Sequence, residues 1–135
     1  MAVIPADGEG VARGIAILRA GGGLGIFPEG VIAPALVPAR AGTGILAMRA
    51  KAPIVPVAIS GTDRIRAWRS IFRPTRVTIR FGEPIDAGAW PAGPGQAQEL
   101  TDLVMRRIAE MLPEIYRGAY AAEVATQEAE RQAVS

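Results

Sequence analysis

Residues 24–30 read Leu-Gly-Ile-Phe-Pro-Glu-Gly, and the rest of the chain can be placed around this stretch. The apolar run at 24–27 predicts a short buried strand that ends at Pro28. Glu29 follows directly, so a carboxylate lies between two residues that favour turns. Ligands of open parallel sheets bind beyond the carboxyl ends of the strands, which makes Glu29 either a binding residue or a polar turn residue.

The composition limits both the size of the fold and its chemistry. The chain has 135 residues, half of them hydrophobic, which suits one domain with a core. No apolar run reaches the roughly 18 to 20 residues of a membrane span, and no signal peptide is predicted, so a cytoplasmic location is expected. The chain contains no cysteine and no histidine. This excludes Cys-His and Ser-His-Asp hydrolase sites and zinc thiolate sites, and we predict no metal site.

The spacing of apolar residues predicts the order of helices and strands. Helical spacing indicates helices at 10–20, 42–51 and 96–112. Apolar runs predict strands at 24–27, 54–59 and 76–81, after the end of a strand at 1–4. In the last strand Val77, Ile79 and Phe81 are expected to face inward, and Pro56 is expected at an edge or bulge because it has no N–H. The predicted fold is α/β, with a partial parallel or mixed sheet flanked by helices.

A basic segment with aromatic residues lies between residues 64 and 80. It contains no acidic residue and six arginines: Arg64, Arg66, Arg69, Arg73, Arg76 and Arg80. Such a segment suits an anionic lipid surface, the phosphates of a nucleic acid, or a solvated arginine face. No nucleic-acid-reading motif accompanies it, so nucleic acid is not an expected partner. The predicted membrane-interface residues are Arg66, Trp68, Arg69 and Phe72.

A single charge, Arg40, occurs in the apolar loop at 31–41. An isolated arginine near a strand end is either an anion clamp or an ordinary surface arginine. The small residues that follow, from Gly42 onward, allow a ligand to approach the start of the next helix. The first amides of that helix favour a negative group.

Four ordered stretches resemble the lysophospholipid acyltransferases, whose type members are the 1-acyl-glycerol-3-phosphate acyltransferases. They are GIFPEG at 25–30, PARAG at 38–42, VPVAISGT at 55–62 and VTIRFGEPI at 77–85. The resemblance covers about residues 2–118. It implies that residues 1–118 form the C-terminal two thirds of an acyltransferase domain lacking its N-terminal strands, followed by an acidic, alanine-rich tail at 119–135.

The resemblance also implies an activity in phospholipid biosynthesis. Enzymes of this family transfer a fatty acyl group from a thioester of coenzyme A or acyl carrier protein to a glycerolipid hydroxyl, without a bound cofactor. The expected setting is the anionic inner face of a membrane. The general base of the family is the histidine of a His-x-x-x-x-Asp motif, and this chain has no histidine. We therefore expect no catalytic residue in this chain and no activity from it alone.

The third motif of the family implies the acceptor-binding residues. At 31–33 this chain has Val-Ile-Ala where the family usually has Thr-Arg-Ser, so Arg40 is the remaining candidate for binding a phosphate. The fourth motif is thought to shape the substrate pocket. The predicted substrate-binding residues are Phe27, Pro28, Glu29, Gly30, Arg40 and Pro56. The alternative function is a non-catalytic module that docks on an anionic membrane or on a partner chain.

Overall fold

The computed structural model describes residues 8–62 and 76–134. The predicted strand end at 1–4 lies outside these residues, as do the membrane-interface candidates Arg66, Trp68, Arg69 and Phe72. In chain order the elements are α1 (Gly8–Arg19), α2 (Gly42–Ala50), β1 (Val57–Ser60), β2 (Thr78–Phe81), α3 (Gln96–Met111), 3₁₀ turns at Glu114–Tyr116 and Gly118–Tyr120, and α4 (Ala121–Val134).

The three predicted helices are confirmed, and their ends differ from the prediction by at most two residues. The glycine run after α1 ends that helix in a Schellman motif. Gly21 adopts a positive φ of 83°. Its N–H donates to the Leu18 carbonyl at 3.0 Å, and the Gly22 N–H donates to the Ile17 carbonyl at 2.9 Å. The last carbonyls of α1 are thereby paired with the backbone that leaves the helix.

The strands form an antiparallel pair, so the mixture of helices and strands is confirmed but the described sheet is not parallel. The register pairs Val57 with Phe81 and Ile59 with Ile79, and an isolated bridge joins Ile54 to Ile85. Pro56 lies between that bridge and β1. It interrupts the ladder because it has no N–H, while its carbonyl accepts a hydrogen bond of 2.8 Å from the Gly82 N–H.

The strand predicted at 24–27 is wrong, because these residues form no strand in the structure. An apolar run becomes a strand only when a neighbouring segment pairs with its N–H and C=O groups. Within the described ranges, β1 and β2 pair with each other and leave residues 24–27 unpaired. The apolar composition of 24–27 therefore does not determine whether its backbone pairs with another strand.

The two faces of the sheet are reversed from the prediction. Val77, Ile79 and Phe81 are exposed, and Phe81 keeps 73% of its accessible surface. On the opposite face Ala58 is buried, and Arg80 Nη1 donates to the Met111 carbonyl at the end of α3, at 2.9 Å. A cation is favourable at a helix C-terminus, which explains why the helix-facing side holds the arginine. The sheet consequently presents an apolar outer face, which we define as Val57, Ile59, Val77, Ile79 and Phe81.

Helix α3 lies between two groups of buried side chains. Leu100, near its start, packs with Ala47 of α2 and with Ala87. Met105 and Ala109, further along, belong to a second group with three residues from distant parts of the chain: Ala39, Tyr120 and Val124. The stretch that precedes α2 and the segment that leads into α4 therefore meet on the same helix.

Candidate functional site

The Phe-Pro-Glu-Gly stretch forms a tight turn. The Gly30 N–H donates to the Phe27 carbonyl at 3.2 Å, and Gly30 has a positive φ of 66°. Pro28 supplies the fixed φ that the second position of such a turn prefers. Glu29 is presented at the third position, half-buried.

One oxygen of Glu29 has a backbone partner. Oε2 accepts a hydrogen bond of 3.1 Å from the Val37 N–H, eight residues further along the chain. This bond closes the loop between Glu29 and Val37. Such a role is the one expected of Glu29 as a polar turn residue. Within the described residues Oε1 makes no hydrogen bond. Glu29 can thus hold the loop and accept a hydrogen bond from a ligand hydroxyl at the same time.

Apolar side chains surround this turn and face solvent. Phe27 keeps 75% of its accessible surface, Val31 is exposed, and Ile32 is completely exposed. Large apolar groups grouped on one loop commonly mark a surface that contacts a lipid, a ligand or another protein. The loop therefore combines a carboxylate with an apolar rim, which suits an amphipathic ligand.

Arg40 and the start of α2 form a positive region at the end of this loop. Arg40 is exposed and forms no ion pair with any described carboxylate. The amides of Gly42 and Thr43 precede the first hydrogen bond of the helix, which Ile45 donates to the Ala41 carbonyl at 2.9 Å. Amides at this position point out of a helix and attract anions. An exposed arginine two residues before such amides can help them to bind a phosphate or a carboxylate.

The neighbouring side chains show which polar groups at this helix end are already paired. The Gly44 N–H donates to Thr101 Oγ1 of α3 at 3.0 Å, so the third amide of α2 is occupied. Thr43 Oγ1 is buried and has no hydrogen-bond partner in the part of the chain that the structure describes. An anion at this end would therefore meet Arg40 and the first two amides, with the third amide held by the protein.

Residues from the second half of the chain hold the segment just before Arg40. The Ala39 N–H donates to the Tyr120 hydroxyl oxygen at 3.2 Å, and Gln98 Nε2 donates to the Ala39 carbonyl at 3.0 Å. The sequence alone assigns neither Tyr120 nor Gln98 a role at this loop. Neither role has a local signal, because the partners are 81 and 59 residues apart.

Tyr120 is the described group whose titration is clearly altered. Burial raises the pKa of Tyr120 above its ordinary value of 10, and the charges of Asp102, Glu123 and Glu29 raise it further. The hydrogen bond from the backbone of Ala39 acts in the opposite direction. Tyr120 therefore stays neutral at physiological pH, and its oxygen remains available to accept the Ala39 N–H.

The remaining predicted site residues are not all brought to this loop. Phe27, Pro28, Glu29 and Gly30 form its first turn and Arg40 lies at its end. The Pro56 carbonyl instead accepts from the N–H of Gly82, the residue after β2. Among the described residues no group of acidic side chains is arranged to hold a metal ion. No helix within 8–62 or 76–134 is both long and apolar enough to cross a bilayer.

A concave region of about 600 Å³ lies elsewhere, between α3 and α4. Most of the charged side chains that line it are already paired. Arg107 lies 3.4 Å and Arg131 3.5 Å from the carboxylate of Glu110, and Arg106 lies 3.4 Å from that of Glu123. This pairing leaves the groove less suited to an anion than the region of Arg40.

Comparison with known proteins points to one chemical class. A family model described as Acyltransferase matches residues 7–60. The 1-acyl-sn-glycerol-3-phosphate acyltransferase of Bacillus subtilis (strain 168) is 28% identical over 99 residues, which are 72% of this chain and 48% of that protein. The chain thus spans about half the length of the curated relative it matches. No solved structure matches significantly.

Proposed function

We propose that this chain forms the acceptor-binding part of a phospholipid acyltransferase. The premise is its similarity to the acyltransferase family model and to the 1-acyl-sn-glycerol-3-phosphate acyltransferase of Bacillus subtilis. The single observation on which this proposal depends is the position of Arg40. Arg40 is exposed two residues before α2, whose first two amides precede its first hydrogen bond, at the end of a loop whose other end presents Glu29. An anionic head group and a hydroxyl are the groups that this pair of charges would bind.

The apolar rim supports a lipid acceptor. Phe27, Val31 and Ile32 are exposed next to the Glu29 turn, so an acyl chain can contact them while the head group reaches Arg40. Ile32 occupies a position at which the related enzymes usually have an arginine, so Arg40 and the α2 amides would supply the whole phosphate contact. We expect this contact to be weaker than one made by two arginines.

The complete reaction needs a base that this chain does not provide. The acceptor hydroxyl attacks the thioester carbonyl, the carbon–sulfur bond breaks, the thiol leaves, and the hydroxyl proton must pass to a base. The chain contains no histidine. Glu29 is a poor substitute, because in this proposal it binds the acceptor and its Oε2 already accepts a hydrogen bond from the Val37 N–H. In this proposal the acyl thioester of coenzyme A or acyl carrier protein is the co-substrate, and the base comes from outside these 135 residues.

The test of the proposal is a binding titration by calorimetry. The probe is a short-chain 1-acyl-glycerol 3-phosphate kept below its micelle-forming concentration, and the control ligand is the monoacylglycerol with the same chain. Arg40→Gln should raise the Kd for the phosphate-bearing probe about tenfold, since hydrogen bonds to charged groups contribute about 1.5 to 3 kcal/mol.

Arg13→Gln is the matched control, because Arg13 is an exposed arginine on α1, away from the loop in sequence. It should leave the Kd unchanged. If both lipids bind equally well and Arg40→Gln alters neither Kd, Arg40 does not bind the phosphate. Absence of binding by the unsubstituted chain would contradict the acceptor-binding proposal itself.

The apolar outer face of the sheet favours a second candidate function, a module that docks on an anionic membrane or on a partner chain. One face of the antiparallel pair exposes four apolar side chains: Ile59, Val77, Ile79 and Phe81. The solvent-facing side of an antiparallel sheet is usually polar. A free-standing two-stranded sheet is only marginally stable. Covering this face would remove apolar surface from water and stabilise the sheet.

A further inference from the structure

The segment that joins α3 to α4 binds the backbone of the loop just ahead of Arg40. We define residues 116–120, within and between the two 3₁₀ turns, as the clasp segment. The Leu36 N–H donates to the Tyr116 carbonyl at 3.0 Å, and the Ala119 N–H donates back to the Leu36 carbonyl at 2.9 Å. The Ala39 N–H donates to the Tyr120 hydroxyl oxygen at 3.2 Å. Three hydrogen bonds therefore connect the clasp segment to residues 36–39.

Gly118 allows the two segments to approach this closely. It has a positive φ of 49°. A Cβ atom built at Gly118 would overlap the carbonyl oxygen of Leu36. A side chain there would push the segments apart and break the paired hydrogen bonds of Leu36. The sequence thus supplies glycine at a position of the clasp segment where a side chain would overlap the backbone of the loop.

A second element, α3, also bonds to the backbone of Ala39. Gln98 Nε2, on α3, donates both to the Ala39 carbonyl at 3.0 Å and to Asp102 Oδ1 at 2.8 Å. Asp102 lies one turn further along α3, so its carboxylate fixes the direction of the Gln98 amide. Both polar backbone groups of Ala39 are consequently bonded to side chains, and Ala39 itself is buried in the core group that contains Tyr120.

From these contacts we infer that Tyr120 and Gln98 are positioning residues for ligand binding at Arg40. Arg40 follows Ala39 directly, so the two side chains that fix Ala39 also fix the backbone from which the guanidinium extends. Only a short linkage, Ala41, separates Arg40 from α2, whose first amides complete the anion site. The inference rests on the proposed function, since it concerns the same anion site, and it assigns that site two residues that do not contact the ligand.

The test combines amide exchange with a binding cycle. Tyr120→Phe removes the hydroxyl and keeps the buried ring, so it should speed hydrogen exchange at the Ala39 amide. It should also raise the Kd for the short-chain 1-acyl-glycerol 3-phosphate about fivefold, the scale of one lost hydrogen bond. In the Arg40→Gln background the same substitution should leave the Kd unchanged, because Tyr120 acts through Arg40.

The control is Thr126→Val, which removes a hydroxyl that donates to the Ala122 carbonyl at 3.0 Å within α4. It should leave both the Ala39 exchange rate and the Kd unchanged. Faster exchange in Tyr120→Phe with an unchanged Kd would overturn the inference, as would an equal loss of affinity in both backgrounds, which indicates a general structural effect.

The two proposals fail in different ways. If Arg40→Gln weakens binding and Tyr120→Phe does not, the positioning inference is wrong and the proposed function stands. If the unsubstituted chain does not bind the probe, the proposed function and the inference that depends on it are both wrong. In that case faster exchange at Ala39 in Tyr120→Phe would establish the clasp contact as a structural contact alone.

Discussion

At the scale of single residues, polar side chains have two kinds of task. Glu29 and Tyr120 bond to backbone amides through one oxygen each, which fixes the loop, while Arg40 forms no ion pair with any described carboxylate. Buried polar groups that are bonded to the backbone make a conformation specific, because breaking them leaves an unpaired amide. We therefore expect substitutions at Tyr120 to affect loop order and substitutions at Arg40 to affect ligand affinity.

The raised pKa of Tyr120 predicts a loss of stability at alkaline pH. The unfolded chain releases the phenol proton near the ordinary pKa of about 10, while the folded protein retains it to higher pH. The unfolded state thus binds fewer protons above about pH 10, and the free energy of unfolding falls there by at most about 1.4 kcal/mol per pH unit. Below pH 10 the contribution is constant.

Urea unfolding at pH 9, 10 and 11 measures this effect. Tyr120→Phe lacks the titrating group, so its free energy of unfolding should decline less between pH 10 and 11 than that of the unsubstituted chain. An identical decline in the two proteins would assign the alkaline loss to other groups.

At the scale of elements, the close contact of α2 with α3 positions the anion site. Thr101 Oγ1 accepts from the Gly44 N–H and donates to the Ala97 carbonyl at 2.9 Å, so one hydroxyl connects the two helices. A Cβ atom at Gly44 would overlap the Ala97 carbonyl oxygen. The start of α2 is consequently held against the backbone of α3, and the helix end cannot move independently of the core.

Gly44→Ala should destabilise the protein by about 1 to 3 kcal/mol, the usual cost of overpacking, because the two helix backbones must separate. The measurement is the midpoint of urea unfolding. Gly42→Ala is the matched control: it is a glycine of the same helix with no neighbouring atom within 4 Å of the added Cβ. Since alanine favours helix formation, Gly42→Ala should be neutral or slightly stabilising. Equal destabilisation by both substitutions would contradict the role of close contact.

Sequence patterns predicted the helices better than the sheet, for a physical reason. Helical periodicity is local, so Leu100 and Val104 at a spacing of four indicate α3, and Gly21 indicates the end of α1. Strand pairing is not local, which is why the apolar run at 24–27 was assigned to a strand that does not exist. Alternation at 77–81 separated the two faces of β2 correctly but could not tell which face packs on the helices.

The candidate site was partly predictable in the same sense. The motif around Glu29 and the isolated charge of Arg40 both pointed to a loop with ligand-binding groups, and the structure places them at the two ends of one loop. The contributions of Gln98 and Tyr120 were not predictable, because hydrogen bonds between distant segments leave no periodic pattern. Their role as partners of Ala39 became visible only with the fold.

At the scale of the whole molecule, apolar side chains are divided unevenly between core and surface. The two buried groups on α3 include small residues such as Ala39, Ala47 and Ala109, whereas Phe27, Ile32 and Phe81 are exposed. Exposed apolar surface of this kind is typical of proteins that contact a membrane or a partner. The second candidate function, docking on a membrane or a partner chain, therefore predicts that the whole chain binds lipid vesicles.

Co-sedimentation with lipid vesicles tests that function. The chain should sediment with vesicles of phosphatidylcholine and phosphatidylglycerol and less with phosphatidylcholine alone, since basic side chains attract anionic lipid. Phe81→Asp should reduce the bound fraction several-fold by placing a charge on the apolar outer face, and the double substitution Arg66→Glu with Arg69→Glu should do the same. Ile115→Asp is the control for Phe81→Asp, because Ile115 is equally exposed at 73% but lies outside the sheet.

Binding that is indifferent to lipid charge would rule out docking on an anionic membrane. Size-exclusion chromatography of the same variants tests whether a second copy of the chain, and not a membrane, covers this face. If Phe81→Asp converts a larger species to a monomer while Ile115→Asp does not, the apolar outer face is covered by a second copy of the chain.

The clasp segment has a consequence for the order of events during synthesis. The loop that contains Glu29 and Arg40 is translated before its hydrogen-bond partner Tyr120, which lies 81 residues after Ala39. At about 5 to 20 residues per second, a ribosome needs roughly 4 to 16 seconds to add the residues in between. Throughout that interval the nascent loop lacks its clasp, so it can reach its final position only after a much later segment has been synthesised.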